Sequence, residues 1–136
     1  MRTITEYTNE PRESEVIIVD GRANVFIREG IESYQNEDGE TRYTAIEYSA
    51  QVNANKFELT EEFKNHLIQK EAGIEAAKIR AKRGELLAES DREVLPDRNN
   101  AQSEEYTAWA EYRQALRDIP EQEGFPYDIV WPAKPE

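Results

Sequence analysis

The sequence predicts an α+β protein: a small N-terminal antiparallel β-meander, a long central α-helix, then a C-terminal helix pair and an extended Pro/aromatic tail. Three observations carry that expectation. Apolar β-branched runs punctuated by turn signals occupy residues 15–54, no proline interrupts residues 60–89, and residues 103–120 carry the start and stop signals of a second helix. The expected organisation is a β-rich region over 1–58 and a helical region over 59–136.

Residues 15–28 read as a hairpin. Glu15-Val16-Ile17-Ile18-Val19 is apolar and β-branched, Asp20-Gly21 is a turn signal, and Val25-Phe26-Ile27 resumes the run. A second turn, Asn36-Glu37-Asp38-Gly39, leads to a strand with Thr44, Ile46, Tyr48, Ala50 and Val52 on one face and Glu47, Ser49 and Gln51 on the other. That alternation marks a half-buried strand, so the meander needs a cover, and the following helix is the natural one. Thr60 is placed to cap its first amides, with Glu61 and Glu62 where the helix dipole favours negative charge. A continuous helix over 60–89 would be about 45 Å long at 1.5 Å per residue, longer than a small domain is wide. Its apolar and small residues Phe63, Leu67, Ile74, Ala77, Ala81 and Ala88 form a seam broken by Lys70 and Gly84, which either docks on the sheet or joins subunits as a coiled coil. Gly73 and Gly84 are points where it could kink or split.

Residues 91–102 read as a loop, because Pro96 bars a helix and Asn99-Asn100 favours a turn. Ser103 then caps a second helix with Glu104 and Glu105 in its first turn, Arg113 and Arg117 in its last turns, and Pro120 as its stop. Trp109, Tyr112, Leu116 and Ile119 form a stripe along it, against which Leu86 and Leu87 of the long helix would pack as an antiparallel pair. The tail from Gly124 to Pro132 is extended by its prolines yet rich in large apolar groups, so it is either docked or adhesive.

With 136 residues, 38% of them hydrophobic and 34% charged, the chain is long enough for one domain with a small core. It carries 17 Lys and Arg against 29 Asp and Glu, a net charge of -12, which repels phosphate backbones and anionic lipid headgroups. Residues 1–60 hold 6 basic and 12 acidic groups, 61–100 hold 8 and 9, and 101–136 hold 3 and 8, so no segment is a basic arm. Neither nucleic acid nor membrane is an expected partner. Cysteine is absent, which excludes disulfides and thiolate chemistry and fits a cytoplasmic protein; no run approaches the ~20 apolar residues of a membrane span. Residues 1–11 are polar, with no apolar core of a secretion signal.

Catalytic and ligand motifs fail one by one. His66 is the single histidine, with no second histidine for a metal pair or a triad, and reads as a surface residue. The six glycines are scattered and form no phosphate loop. Aligning Gly39 with the glycine of a calcium loop puts Ala45 where a bidentate glutamate belongs. The basic cluster Lys78, Arg80, Lys82 and Arg83 is interleaved with Glu75, Glu85 and Glu89, as on a solvated helix face. No catalytic residue, cofactor or metal site is expected. The residue types that dominate interfaces gather in the last third: Trp109, Tyr112, Arg113, Arg117, Phe125, Tyr127 and Trp131 are the candidate partner-binding residues, with Trp109 equally suited to a core.

The segments RGELLAESDREVLPD, Arg83–Asp97, and WAEYRQALRDIPEQEGFPYDIVWP, Trp109–Pro132, resemble the C-terminal module of tailed-bacteriophage tail fibre assembly proteins, also called phage tail assembly chaperones. The resemblance selects Leu86, Leu87, Ser90, Asp91, Leu95, Pro96 and Asp97 around the first segment. In the second it selects Trp109, Tyr112, Arg113, Ala115 to Pro120, Phe125, Pro126, Trp131 and Pro132. One departure is plain: that pattern usually has a Trp after Ser-Asp, where Arg92 stands here. The resemblance implies a non-enzymatic protein that chaperones or attaches a tail fibre or baseplate protein in the cytoplasm of the host bacterium. The alternative is a structural tail or baseplate component retained in the virion, with homo-oligomerisation through helix 60–89.

Overall fold

The computed structural model describes residues 1–95 and 103–136. Four strands, β1 (Arg2–Tyr7), β2 (Ser14–Val19), β3 (Arg22–Gln35) and β4 (Thr41–Asn53), precede two α-helices, α1 (Glu61–Ser90) and α2 (Glu104–Asp118). The strands form one antiparallel sheet in the order β1-β4-β3-β2, and the α+β expectation holds. β1 is additional to the meander read from residues 15–54. It has a single aliphatic residue, Ile4, so no apolar run announces it, and its strand state follows from pairing with β4 along its whole length. The chain divides into two compact units, Met1–Glu71 and Ala72–Glu136, with the division inside α1. Two small cores thus stand where the length suggested one.

In the first unit, Asp20 and Gly21 have φ of 51° and 73° and make the two-residue turn between β2 and β3, whose backbone matches the strand twist. At the other end of β3, the Asn36 side-chain oxygen accepts from the amides of Asp38 at 3.1 Å and Glu40 at 2.8 Å, closing the turn on its own backbone. Ala23, Val25 and Ile27 of β3 lie opposite Val52, Ala50 and Tyr48 of β4. These positions share the face that the β4 alternation predicted. Leu67 of α1 completes this core, flanked by Phe63, Ile68 and Phe57, whose ring meets Phe63 edge-on at 4.9 Å. Thr60 caps α1 as expected: its hydroxyl accepts from the Phe63 amide at 3.1 Å.

The opposite face of the sheet is organised by a buried cation. Arg28 of β3 is 8% exposed. Its Nε donates to the Glu47 carboxylate of β4 at 2.9 Å and to the Tyr7 hydroxyl of β1 at 2.8 Å. One terminal nitrogen donates to Glu15 of β2 at 3.1 Å, and the other to the Arg12 carbonyl at 3.1 Å. The guanidinium therefore touches a residue of every other strand, and it lies 5.1 Å from the centre of the Tyr7 ring.

The seam read along α1 is not the face that packs throughout. Leu67 is buried, but Ile74, Ala77, Ala81 and Ala88 are exposed, whereas Ile79, Leu86 and Leu87 pack into the second core. Each core selects the helix face it needs, so a single heptad register does not describe the helix. Gly73 and Gly84 do not interrupt it. Past its end, Asp91–Val94 forms a short 3-10 turn, where a loop was expected; Pro96, Asp97 and Asn99-Asn100 lie outside the described residues.

Replacing Arg28 with Met should cost about 3 kcal/mol of the first unit's stability, because Glu47 and Tyr7 would be left half-buried without their cation. Urea unfolding followed by far-UV circular dichroism measures it. The Tyr7 phenol is pushed above its ordinary value of 10.0 by burial and by the Glu47 carboxylate, so folding favours the protonated form. That contribution is complete below about pH 10 and is lost as pH rises through the raised value. Urea midpoints should fall above pH 10 and fall less steeply in Tyr7→Phe.

Candidate partner interface

The C-terminal unit is built on α2. Ser103 accepts from the Tyr106 amide at 3.1 Å as the cap the sequence predicted, and the helix gives way at Ile119–Glu121 to a 3-10 turn containing Pro120. Trp109, Tyr112, Leu116 and Ile119 are all buried on one stripe, against Ile79, Leu86 and Leu87 of α1. Trp109 and Tyr112 meet edge-to-face at 5.8 Å, and the Tyr112 phenol is raised by burial and by the Glu89 charge.

Arg113 crosses from α2 to the end of α1. One terminal nitrogen donates to the Leu87 carbonyl and to the Ser90 hydroxyl, both at 2.8 Å, and the other pairs with Asp91 at 2.7 Å. Ser90, 1% exposed, itself donates to the Leu87 carbonyl at 2.9 Å. A helix end leaves carbonyls without partners. Here a side chain from the neighbouring helix supplies the donors, and Asp91 balances its charge.

The tail folds back on its own unit. The Gln122 side chain acts as a surrogate backbone, accepting from the Val130 amide at 2.7 Å and donating to the Val130 carbonyl at 2.9 Å. Between them the chain turns so tightly that a Cβ on Gly124 would lie 1.9 Å from the Asp128 carbonyl oxygen, which only glycine permits. The Phe125-Pro126 bond is cis. Phe125, Ile129 and Trp131 pack on the core, with Arg80 5.5 Å from the centre of the Phe125 ring and Lys82 4.5 Å from that of Trp131. Two cations of the helix surface thus hold two aromatic rings of the tail. Sequence reading missed that role, because Lys and Arg among glutamates are the ordinary composition of a solvated helix.

The seven residues read as partner-binding are therefore placed in different ways. Trp109 and Tyr112 are core, Arg113 closes α1, and Phe125 and Trp131 are half-buried where the tail packs on that core. Arg117 is exposed, and Tyr127 is 37% exposed beside Val130 at 76%. Ala88, Glu89, Arg92, Glu93, Trp109 and Lys134 line a groove of about 480 Å³. Arg92, in the place where the resemblance expects a Trp, lies at its rim and reaches Glu93 at 3.1 Å.

Residues 76–136 match the phage tail assembly chaperone protein family. Over that segment the chain is similar to phage tail assembly chaperones. No curated protein and no solved structure matches it. The match starts in α1 shortly after the division at Ala72, so the chaperone module coincides with the second compact unit and the sheet of the first lies outside it. This ties the protein to phage tail assembly. Among the described residues, no three His, Asp or Glu side chains converge as metal ligands, and no helix is long and apolar enough to cross a membrane.

Both tryptophans of the chain, Trp109 and Trp131, lie in the second unit, so selectively excited tryptophan fluorescence reads this unit alone. Arg113→Ala should lower its stability by about 2 kcal/mol in fluorescence-monitored urea unfolding, through charged hydrogen bonds lost around a buried Ser90. Arg113→Lys should recover only part, since an ammonium cannot reproduce the fork that meets three partners.

Proposed function

We propose that the protein is a non-enzymatic tail assembly chaperone that binds a tail fibre or baseplate protein through protein–protein contacts in the host cytoplasm. The observation that carries this reading is the family match over 76–136, the segment that folds as a unit with its tail docked on itself. An unassembled fibre subunit exposes apolar surface and unpaired strand edges, and a protein with a net charge of -12 covers such surface while keeping the complex apart from others like it. On the module, the surface offered is the exposed end of the tail, Tyr127 and Val130, together with Arg117. Phe125 and Trp131 act by holding that end in place. The second reading, a structural component retained in the virion, draws on the exposed row Ile74, Ala77, Ala81 and Ala88 of α1 as a seam between copies.

Mass spectrometry of purified phage particles beside the soluble lysate separates the two. An assembly chaperone is expected in the lysate and missing from finished particles. Stoichiometric recovery in the particle would make it a structural part. In binding to the phage's tail fibre or baseplate protein, Val130→Asp should weaken affinity about tenfold or more with little change in the fluorescence-monitored urea midpoint. A shifted midpoint would reassign Val130 to the fold.

A further inference from the structure

The first unit presents an unpaired, apolar strand edge. The sheet order makes β1 and β2 its two edges, and they differ in how they are finished. On β2, Ile17, Ile18 and Val19 are 45%, 64% and 53% exposed. No Lys, Pro or bulge interrupts the strand, the devices that ordinarily keep an edge from pairing. On β1, Ile4 stands between Arg2 and Glu6.

The register tells which backbone groups are free. The Arg28 amide donates to the Glu13 carbonyl at 2.8 Å, continuing the alignment that pairs Ser14 with Ile27. In antiparallel ladders, hydrogen-bonded and non-hydrogen-bonded pairs alternate. Glu15, Ile17 and Val19 therefore direct their N–H and C=O groups to β3, as the two-residue turn after Val19 also requires. Ser14, Val16 and Ile18 direct theirs outward. On β1, the Ser49 amide donates to the Met1 carbonyl at 2.7 Å, so there the outward set is Arg2, Ile4 and Glu6.

We propose that the β2 edge is a docking site for an extended segment of the tail protein that this chaperone serves, added to the sheet as a fifth strand through the outward amides and carbonyls of Ser14, Val16 and Ile18. The occupant has alternating apolar residues with Lys or Arg at its ends, because Glu10 and Glu13 precede β2 and Asp20 follows it. The same charges argue against a second copy of this chain. Antiparallel self-pairing would set the Glu13 end of one β2 against the Asp20 end of the other, between molecules of net charge -12 each. A pair of six-residue strands also covers far less than the roughly 1,200 Å² of a stable interface, so this edge needs a partner that extends beyond it. The inference rests on the proposed assembly function for the identity of the partner, and on the sheet alone for the mode of pairing.

The test combines binding and hydrogen exchange, using the full chain with purified tail fibre and baseplate proteins of the same phage. In the complex, the amides of Val16 and Ile18 should exchange at least tenfold more slowly than in the free chain, with those of Glu15, Ile17 and Val19 already protected. Val16→Pro removes an outward N–H and no ladder hydrogen bond, so it should keep the circular dichroism spectrum and lower affinity at least tenfold. Ile4→Pro, its counterpart on β1, should bind like the parent chain. Should Val16→Pro unfold, Ile18→Lys repeats the test with the backbone unchanged. Binding of a tail protein with unchanged exchange at Val16 and Ile18 overturns the docking site and leaves the assembly function standing. Failure of every tail protein to bind overturns both. A concentration-dependent dimer of the free chain that Val16→Pro abolishes overturns the choice of occupant.

Discussion

The C-terminal module depends on the guanidinium of Arg113 closing the end of α1. Helix ends next to a core are costly unless their carbonyls find donors, and Leu87 finds one on another helix instead of in water. Because Ser90 and Asp91 share the same guanidinium, α2 has one position along α1 in which all three contacts form. That position seats Trp109, Tyr112, Leu116 and Ile119 on Ile79, Leu86 and Leu87. α2 then gives way at Pro120, and Gln122 just beyond it holds the returning tail.

Arg28 solves a similar problem in the sheet. A mean hydropathy of -0.90 leaves little apolar area for each core. Buried ion pairs contribute modestly to net stability, since desolvation offsets most of their attraction, but they penalise any register in which a charge loses its partner. Arg28 meets Glu15, Glu47 and Tyr7 from three strands at once, so a slip of any one strand would expose the error. In both units one arginine thus supplies specificity that a larger core would otherwise provide.

The two units differ in what their surfaces leave exposed. The second unit packs four of its six aromatic residues into its own core and leaves a short apolar tip at Tyr127 and Val130. The sheet, outside the family match, keeps an apolar edge uncovered.

The sequence by itself determined the elements whose signals are local. The Asp20-Gly21 turn, the caps at Thr60 and Ser103, the stop at Pro120, the alternation along 44–52 and the stripe on α2 all follow from neighbours within a few residues. The Ser-Asp and Tyr-Arg motifs identified the module, though not their mutual contact. Only the tertiary structure decided that β1 is a strand, which face of α1 each core takes, that Arg80 and Lys82 hold the tail, and that Trp109 and Tyr112 are core. Each of these depends on a partner far away in the chain, and a residue suited to either a core or an interface carries no local mark of which it will meet.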